Sequence, residues 1–333
     1  MSLGSSTRPL CEDYDLGMLD LDGVVYIGAK AVPGAVDALS TARKAGMRLA
    51  FLTNNASRSA GDVAAHLREL DIEADDADVV TAAQAVAHVV ADAVPAGSAV
   101  LLVGGEGLRL PLEERGLRCV SSLDDDPVAV VQGFHPDVGW RALAEASYAI
   151  ESGLPWFASN TDMTIPTGRG IAPGNGSLVQ AVRNATGATP TVAGKPERAL
   201  FDETLQRMGP ERPLMVGDRL DTDIDGAINA GLDSLAVLSG VNSLPDVAAL
   251  PAERRPTFVG PDLSALVAAH PDVTVHDDSA SCGEATATLV DDAARLSRGD
   301  PSTIEALRAV TALAWSVRDA SGRDIRVDGT LEP

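Results

Sequence analysis

Short apolar runs alternate with longer segments in which apolar residues recur at helical spacing through most of the chain. The short runs predict buried strands, and the longer segments predict amphipathic helices. Strands are predicted at 16–21, 48–53, 99–103, 128–132, 155–158, 213–216, 234–238 and 257–259. Helices are predicted at 34–45, 59–70, 108–115, 140–151 and 176–186. This alternation predicts an α/β fold built on a Rossmann-like, doubly wound parallel sheet.

The alternation ends before the C-terminal region, where a different pattern follows. A polar, turn-rich stretch at 277–284 precedes predicted helices at 286–296 and 302–317 and a short predicted strand at 325–327. Earlier in the chain, residues 159–175 are rich in Gly, Pro and Thr and predict an irregular loop. The last part of the chain is therefore predicted to form a small extension of the α/β core.

Carboxylates follow two of the predicted strands directly. Asp20 and Asp22 come at the end of the first strand, where residues i and i+2 point to the same side. Asp218 and Asp223 come after the strand at 213–216. In doubly wound sheets, ligands bind at the carboxyl ends of the strands. Because neighbouring carboxylates repel, this placement predicts a bound cation, or a nucleophile paired with a proton donor.

A hydroxyl and an ammonium group occupy comparable positions. Thr53 ends another predicted strand and is followed by Asn54 and Asn55, and Lys195 precedes a predicted helix. Mg²⁺ prefers oxygen ligands and balances clustered carboxylates, whereas lysine and hydroxyl groups suit phosphate oxygens. The whole set therefore predicts phosphoryl transfer with Mg²⁺ as the cofactor.

Several polar or glycine-rich segments also have a purely structural interpretation. The tripeptide 53–55 by itself is typical of an Asx turn. Asp221 is interpreted as a helix cap in preference to a metal ligand. The segment 104–107 lacks the spacing of a nucleotide-binding loop and is interpreted as a strand-to-helix turn. The segment 174–176 is equally compatible with a phosphate cradle at a helix N-terminus and with a plain connection.

The charge balance excludes some classes of partner. The chain has 333 residues and a formal net charge of −22, whereas nucleic acids and anionic membranes attract basic surfaces. No apolar run is long enough to predict a transmembrane helix. Three widely spaced cysteines, Cys11, Cys119 and Cys282, do not suggest a disulfide framework. We therefore expect a cytoplasmic protein that binds neither nucleic acid nor membrane.

Four motifs occur in one order along residues 14–270. They are Asp-Leu-Asp-Gly-Val at 20–24, Leu-Thr-Asn-Asn-Ala-Ser-Arg at 52–58, Gly-Lys-Pro at 194–196 and Gly-Asp-Arg-Leu-Asp-Thr-Asp-Ile at 217–224. With these motifs the chain resembles the haloacid dehalogenase superfamily. The large insertion between the second and third motifs is similar to that of the phosphatases with an α/β cap. That branch contains the p-nitrophenyl, phosphoglycolate and glycerol-3-phosphate phosphatases.

The resemblance implies a role for each charged motif residue. Asp20 would be the nucleophile that forms an aspartyl-phosphate, and Asp22 would act as general acid and then general base. Asp20, the backbone carbonyl of Asp22 and Asp218 would bind Mg²⁺. Lys195 would neutralise charge on Asp20 and on the phosphoryl group. Asp223 would orient Lys195 or a metal-bound water.

The resemblance also implies residues that bind the substrate. Thr53, Asn54 and Asn55 would bind the phosphoryl oxygens, through the Thr53 hydroxyl and the backbone at Asn54. Asn160 and Asp162 would contact the substrate from the loop of the cap that faces the core.

The implied domains are a core at 12–81 and 179–270, an inserted cap at 82–178 and an extension at 271–333. The extension and the alanine- and aspartate-rich composition are similar to those of the actinobacterial glycerol-3-phosphate phosphatases. In these phosphatases the extension resembles part of an acetyltransferase. A homodimer formed through the cap is compatible with this resemblance.

The implied activity is hydrolysis of a small phosphorylated metabolite, with glycerol 3-phosphate as the first choice. Phosphoglycolate phosphatase and nucleotidase are the alternatives, together with a mutase. A metabolite-binding regulator that acts through the C-terminal region is the non-enzyme alternative. The presence of Asp22 favours a phosphatase over a dehalogenase, because an alkoxide leaving group needs a proton and a halide does not.

Overall fold

The computed structural model describes residues 2–167 and 169–327. The end of the predicted extension, 328–333, lies outside the described residues. The chain divides into two compact units. The described residues of the first unit are 2–50, 70–72 and 210–327, and those of the second are 51–69, 73–167 and 169–209. The boundaries predicted for core, cap and extension stay a prediction.

The strands and helices follow in chain order. The strands are β1 (Ser6–Pro9), β2 (Leu16–Asp20), β3 (Tyr26–Ile27), β4 (Lys30–Ala31), β5 (Arg48–Thr53), β6 (Val79–Thr81), β7 (Ala99–Val103), β8 (Arg118–Val120), β9 (Ala129–Gln132), β10 (Trp156–Ala158), β11 (Thr164–Thr167), β12 (Gly170–Pro173), β13 (Thr191–Val192), β14 (Pro213–Gly217), β15 (Asp233–Val237), β16 (Phe258–Gly260), β17 (Ala269–His270), β18 (Thr274–His276), β19 (Ser279–Cys282), β20 (Ala285–Val290), β21 (Ala293–Arg298) and β22 (Arg326–Val327). The helices are α1 (Leu10–Asp13), α2 (Ala35–Lys44), α3 (Ala60–Glu69), α4 (Ala82–Ala93), α5 (Glu106–Glu114), α6 (Trp140–Glu151), α7 (Asn175–Thr186), α8 (Arg198–Met208), α9 (Asp225–Ala230), α10 (Leu244–Ala248) and α11 (Ile304–Ser321). The strands and helices predicted before residue 261 are confirmed, with ends that differ by about two residues at most.

Parallel strands form the central sheet of the first unit. β14 pairs with β2 on one side and with β15 on the other, and β16 pairs with β15. The first residues of β5 lie next to β2, with Leu49 near Gly17. The chain therefore builds the sheet outward in both directions from β2 and β14. This is the topological switch point at which doubly wound sheets bind ligands.

The C-terminal part of the first unit is a second, mostly antiparallel sheet covered by α11. Its strand order is β18-β19-β20-β21-β22, and α11 packs against β19, β20 and β21. The helix predicted at 286–296 is wrong, because β20 and β21 occupy this segment. Ala285 and Ala287 are buried, whereas Thr286 and Thr288 are half-exposed. This period of two is typical of a strand with one covered face.

A five-stranded parallel sheet forms the main layer of the second unit. Its order is β13-β10-β9-β7-β8. Side chains of β7, β9 and β10, including Val130 and Ala158, pack with Ala146 of α6 and Val182 of α7 in one buried cluster. Residues 51–53 of β5 belong to the second unit. They pair with β6 there, so that Thr53 lies opposite Thr81.

Two loop predictions have different outcomes. The segment 104–107 is a strand-to-helix turn as predicted, since β7 ends at Val103 and α5 begins at Glu106. The irregular loop predicted at 159–175 contains the β11–β12 hairpin, so that prediction is wrong over part of its length.

Candidate active site

Three carboxylates meet at the switch point of the first unit. Asp20 is the last residue of β2, Asp218 follows β14 directly, and Asp223 lies five residues further on in a π-helical turn. Their carboxylate oxygens all lie within 4.8 Å of one another. Asp20 is half-buried, and the other two side chains are buried. A compact set of carboxylate oxygens without nitrogen or sulfur ligands fits a hard cation such as Mg²⁺.

Two glycines make room for the Asp218 carboxylate. A Cβ atom on Gly23 would lie 2.6 Å from Asp218 Oδ2, and one on Gly240 would lie 2.0 Å from the same atom. Gly23 also has a positive φ of 91°, which glycine adopts without strain. The backbone N–H of Val241 donates a hydrogen bond of 2.6 Å to Asp218 Oδ2. This loop therefore fixes the orientation of the carboxylate before any ligand binds.

Asp223 is held against the end of β14. A Cβ atom on Gly217 would lie 2.2 Å from the Asp223 Cβ atom, so the carboxylate packs directly on that glycine. The backbone N–H of Arg219 donates to Asp223 Oδ2 at 3.1 Å. The resemblance implied that Asp223 orients Lys195 or a metal-bound water. The structure places the Asp223 carboxylate in the cluster with Asp20 and Asp218.

Asp22 and Asp221 are not members of the three-carboxylate cluster. Asp22 is exposed and forms a β-bridge with Tyr26 in the turn after β2. Asp221 accepts two hydrogen bonds from the Arg219 guanidinium, at 3.0 and 2.8 Å, which lower the pKa of Asp221. The interpretation of Asp221 as a helix cap is therefore wrong, because it lies inside the π-helical turn that begins at Leu220.

In the second unit, the segment after β5 forms a compact polar turn. Thr53 is buried, and its Oγ1 accepts a hydrogen bond of 3.1 Å from the backbone N–H of Asn55. Asn55 Oδ1 in turn accepts from the backbone N–H and the hydroxyl of Ser57, at 2.8 and 2.7 Å. The Asx turn that the sequence allows is therefore present at Asn55. Phosphate binding by this residue stays a prediction.

The same turn contacts Lys195, which is buried with 3% exposure. The Lys195 N–H donates to Asn54 Oδ1 at 2.8 Å, and Asn54 Nδ2 donates to the Lys195 carbonyl at 3.1 Å. A Cβ atom on Gly194 would lie 2.7 Å from Asn54 Oδ1 and 2.5 Å from the Ser159 carbonyl oxygen. Glycine before the lysine is therefore required by the close approach of two other segments.

The loop after β10 brings the two predicted substrate residues to Asn54. Asn160 Nδ2 donates to the Asn54 carbonyl at 2.6 Å, and Asp162 Oδ1 accepts from Asn54 Nδ2 at 3.3 Å. Asn160 is buried and Asp162 is half-buried. Asn175 Nδ2 donates to the Asn160 carbonyl at 2.7 Å, and the Gly176 N–H donates to the Asp162 carbonyl at 2.8 Å. The start of α7 therefore binds the protein's own loop, which favours the plain connection for 174–176.

Two groups of site residues were not predicted from the sequence. One is the Gly240–Val241 segment, which packs on Asp218 from beyond β15. The other is Gly107, where a Cβ atom would lie 2.6 Å from the backbone of Ser57 and 2.7 Å from the Ala56 carbonyl. A Ser-Gly pair just past a predicted strand was the available signal for the first group. The glycine-rich turn at 104–107 was the signal for the second.

Comparison with known proteins defines the family. A family model described as haloacid dehalogenase-like hydrolase matches residues 18–118, and a second model, described as HAD-hydrolase-like, matches residues 192–266. The chain belongs to the haloacid dehalogenase-like hydrolases. The predicted superfamily and fold class are therefore confirmed.

Two relatives and two solved structures illustrate the family. D-glycerol 3-phosphate phosphatase of Mycobacterium tuberculosis is 44% identical over 331 residues, which cover 96% of this chain and 92% of the relative. A crystal structure of the glycerol phosphate phosphatase from that organism in complex with magnesium has a TM-score of 0.85, covering 96% of this chain and 95% of that chain at 42% identity. Acid sugar phosphatase of Staphylococcus aureus is 35% identical over 238 residues, covering 71% of this chain and 91% of the relative. The structure of 4-nitrophenylphosphatase from Thermotoga maritima has a TM-score of 0.71 at 30% identity, covering 78% of this chain and 98% of that chain.

Proposed function

We propose that this chain is a Mg²⁺-dependent phosphomonoesterase that hydrolyses glycerol 3-phosphate through an aspartyl-phosphate on Asp20. The observation that carries this proposal is the cluster of Asp20, Asp218 and Asp223 oxygens at the switch point of the parallel sheet. The relative that is 44% identical over nearly the whole chain is a D-glycerol 3-phosphate phosphatase, which supports the substrate. The magnesium complex of the similar crystal structure supports the metal.

The reaction divides into two displacements at phosphorus. A carboxylate oxygen of Asp20 attacks the phosphorus atom, the bond from phosphorus to the glycerol oxygen breaks, and Asp22 donates a proton to that oxygen. Asp22 then accepts a proton from a water molecule, whose oxygen attacks phosphorus and releases inorganic phosphate from Asp20. Asp22 is exposed in the structure, so its carboxylate is accessible to substrate and water.

The remaining motif residues interact with the metal ion and with the phosphoryl group. Asp20, the carbonyl of Asp22 and Asp218 would hold Mg²⁺, and Asp223 joins this set because its carboxylate lies in the same cluster. When bound there, Mg²⁺ would offset the charge of these carboxylates and polarise the phosphoryl oxygens. We assign Thr53 and Lys195 to binding of the phosphoryl oxygens. The Thr53 hydroxyl would donate a hydrogen bond to them, and the Lys195 ammonium would stabilise the charge that develops there.

Small sugar phosphates are the second candidate class of substrate. The observation that favours them is the acid sugar phosphatase from Staphylococcus aureus, which is 35% identical over 71% of this chain. Phosphoglycolate and nucleotides stay predictions. A panel of small phosphate esters, compared by kcat/KM, would rank all four classes.

A homodimer and a cytoplasmic location are the predictions on assembly and location. Among the described residues, no helix is long and apolar enough to cross a membrane. Family analogy supports a homodimer, and light scattering of the purified protein would test it. A cytoplasmic location rests on the cysteine usage of the sequence.

The nucleophile assignment is tested by Asp20→Asn. The wild-type protein is expected to release phosphate from glycerol 3-phosphate and p-nitrophenyl phosphate with Mg²⁺, and to lose this activity in excess EDTA. Asp20→Asn keeps the size of the side chain but removes the attacking carboxylate, so we expect a loss of about 10⁴-fold or more in kcat. Phosphate release is measured by a colorimetric assay, after the thermal midpoints of wild type and Asp20→Asn have been shown to be equal. An Asp20→Asn protein with substantial activity would refute the proposed mechanism.

A further inference from the structure

The side chain of Asn54 joins two segments that are far apart in sequence. Its amide makes a two-point contact with the backbone of Lys195, accepting from the N–H at 2.8 Å and donating to the carbonyl at 3.1 Å. The same Nδ2 atom donates to Asp162 Oδ1 at 3.3 Å. One carboxamide thus contacts both the lysine of the Gly-Lys-Pro motif and a carboxylate of the loop after β10.

The two-point contact fixes the backbone from which the Lys195 side chain extends. A single hydrogen bond leaves a peptide group free to rotate about it, whereas a donor and an acceptor used together define both position and direction. Gly194 permits this approach, because any Cβ atom there would lie 2.7 Å from Asn54 Oδ1. Lys195 is 3% exposed, so its ammonium group depends on the backbone position to reach its target.

The loop that carries Asp162 is itself fixed within the second unit. The backbone N–H of Asp162 donates to Asn160 Oδ1 at 3.1 Å, and its carbonyl accepts from the N–H of Gly176 at the start of α7. Asn160 Nδ2 donates to the carbonyl of Asn54 at 2.6 Å. Asp162 therefore presents its carboxylate to Asn54 from a hydrogen-bonded loop and gives the Asn54 amide a further partner besides the Lys195 backbone.

We propose that Asn54 is the positioning residue for Lys195, and that Asp162 influences the reaction through Asn54, without contact with the substrate. The proposal rests on the proposed function, since it assumes that Lys195 stabilises the phosphoryl group. It assigns to Asn54 a side-chain role in addition to the predicted backbone contact with phosphate. It also replaces the predicted substrate contact of Asp162 by an indirect role.

The first test combines Asn54→Ala with Lys195→Ala. If Asn54 acts by positioning Lys195, Asn54→Ala lowers kcat about ten- to a hundred-fold, with KM changed much less. The same substitution then has little further effect in the Lys195→Ala protein, because the group that it positions is gone. Independent losses that multiply in the double variant would overturn the positioning role.

The second test uses substrates with different alcohols. Asp162→Ala removes the acceptor for Asn54 Nδ2. Asp162→Asn keeps a side-chain oxygen at the same distance from the backbone, which still accepts this hydrogen bond. We expect Asp162→Ala to lower kcat by a similar factor for glycerol 3-phosphate and p-nitrophenyl phosphate, and Asp162→Asn to keep most of the activity. A loss confined to glycerol 3-phosphate, expressed mainly in KM, would show direct substrate contact and overturn the proposal.

The matched control is Asn184→Ala, which removes an amide on the exposed face of α7 in the same unit. Asn184 Oδ1 accepts from Gln180 Nε2 at 2.7 Å, and no change in kcat is expected. If Asn54→Ala does not fold, judged by circular dichroism, the Asp162 pair still decides the question. Absence of phosphatase activity in the wild-type protein would refute the proposed function. Wild-type activity with an unaffected, folded Asn54→Ala protein would refute this inference alone.

Discussion

At the scale of single residues, Arg308 and His270 form a fully buried polar pair in the first unit. Arg308 donates to the carbonyls of Pro271 and Gly4, at 3.0 and 2.7 Å, and its Nη1 lies 3.3 Å from His270 Nδ1. The other ring nitrogen of His270 lies 2.9 Å from the Ala265 carbonyl. A histidine that accepts from an arginine and donates to a carbonyl is neutral.

This pair predicts a pH-dependent stability. Burial, and to a lesser extent the charge of Arg308, lowers the pKa of His270 to about 4 from its usual 6.5. Between these two values the unfolded chain binds a proton that the folded protein excludes, so the free energy of unfolding decreases as the pH falls. The contribution of His270 is at most about 3 kcal/mol.

The measurement is urea denaturation of wild type and His270→Gln between pH 7 and pH 4. His270→Gln removes the titrating ring, so its stability deficit relative to wild type should shrink as the pH falls. Carboxylates that titrate in the same range affect both proteins alike. A deficit that stays constant over this range would contradict the assignment of a neutral, buried His270.

At the scale of elements, the turn between β20 and β21 has an unusual composition. Val290 pairs with Ala293, which leaves a two-residue loop of Asp291 and Asp292. Both have positive φ angles, 51° and 57°, as in a type I′ turn. Non-glycine residues are disfavoured in this conformation, and Asp-Gly is the better sequence for it.

Replacement of Asp292 by glycine is therefore expected to stabilise the hairpin. Asp292 also accepts from exposed Arg323 at 2.7 Å, a surface ion pair of small value. Asp292→Ala is the matched control, since it loses the same carboxylate but keeps a Cβ atom. We expect Asp292→Gly to exceed Asp292→Ala by about 1 kcal/mol in unfolding free energy. Equal stabilities of the two variants would contradict the left-handed turn.

The elements also show where local patterns mislead. The segment 286–296 was predicted as a helix because its apolar residues are compatible with helical spacing over a short window. Hairpin pairing with β19 and between β20 and β21, covered by α11, determines that it forms strands instead, a tertiary context that overrides weak local preference. Helix α4 was not predicted at all, although Thr81 and Gln84 form a capping box at its start.

At the scale of the whole molecule, the C-terminal sheet and α11 share one buried cluster with the parallel-sheet part of the first unit. The cluster includes Val247 and Val259 together with Ala287 and Leu313. Trp315 Nε1 donates to the Val247 carbonyl at 2.9 Å, and the buried Arg255 guanidinium lies 4.7 Å from the Trp315 ring centre. The C-terminal residues therefore complete the hydrophobic core of this unit.

Deletion of residues 272–333 is expected to be strongly destabilising. It would expose the apolar surface that α11 covers and leave the Arg255 guanidinium without the Trp315 ring, at a combined cost of several kcal/mol. We expect aggregation, or a large decrease in the thermal midpoint, measured by circular dichroism and size-exclusion chromatography. Trp315→Phe, which keeps most of the packing, should have a much smaller effect. A monomeric deletion protein with unchanged midpoint and activity would contradict a structural role for the extension.

The sequence by itself determined the superfamily, the alternating α/β core and the charged motifs. Asp20, Lys195 and Asp218 were predicted as site residues because each belongs to a short, ordered motif next to a predicted strand or helix. Local periodicity and turn chemistry act over a few residues, and a single sequence records them directly.

Only the tertiary structure decided which distant residues meet. Asn54 and Lys195 are 141 residues apart, yet one carboxamide binds the lysine backbone at two points. Gly240 packs on Asp218 from the loop beyond the next strand. Such contacts depend on how strands assemble at the edge of a sheet, and no local pattern specifies which loop will face which carboxylate.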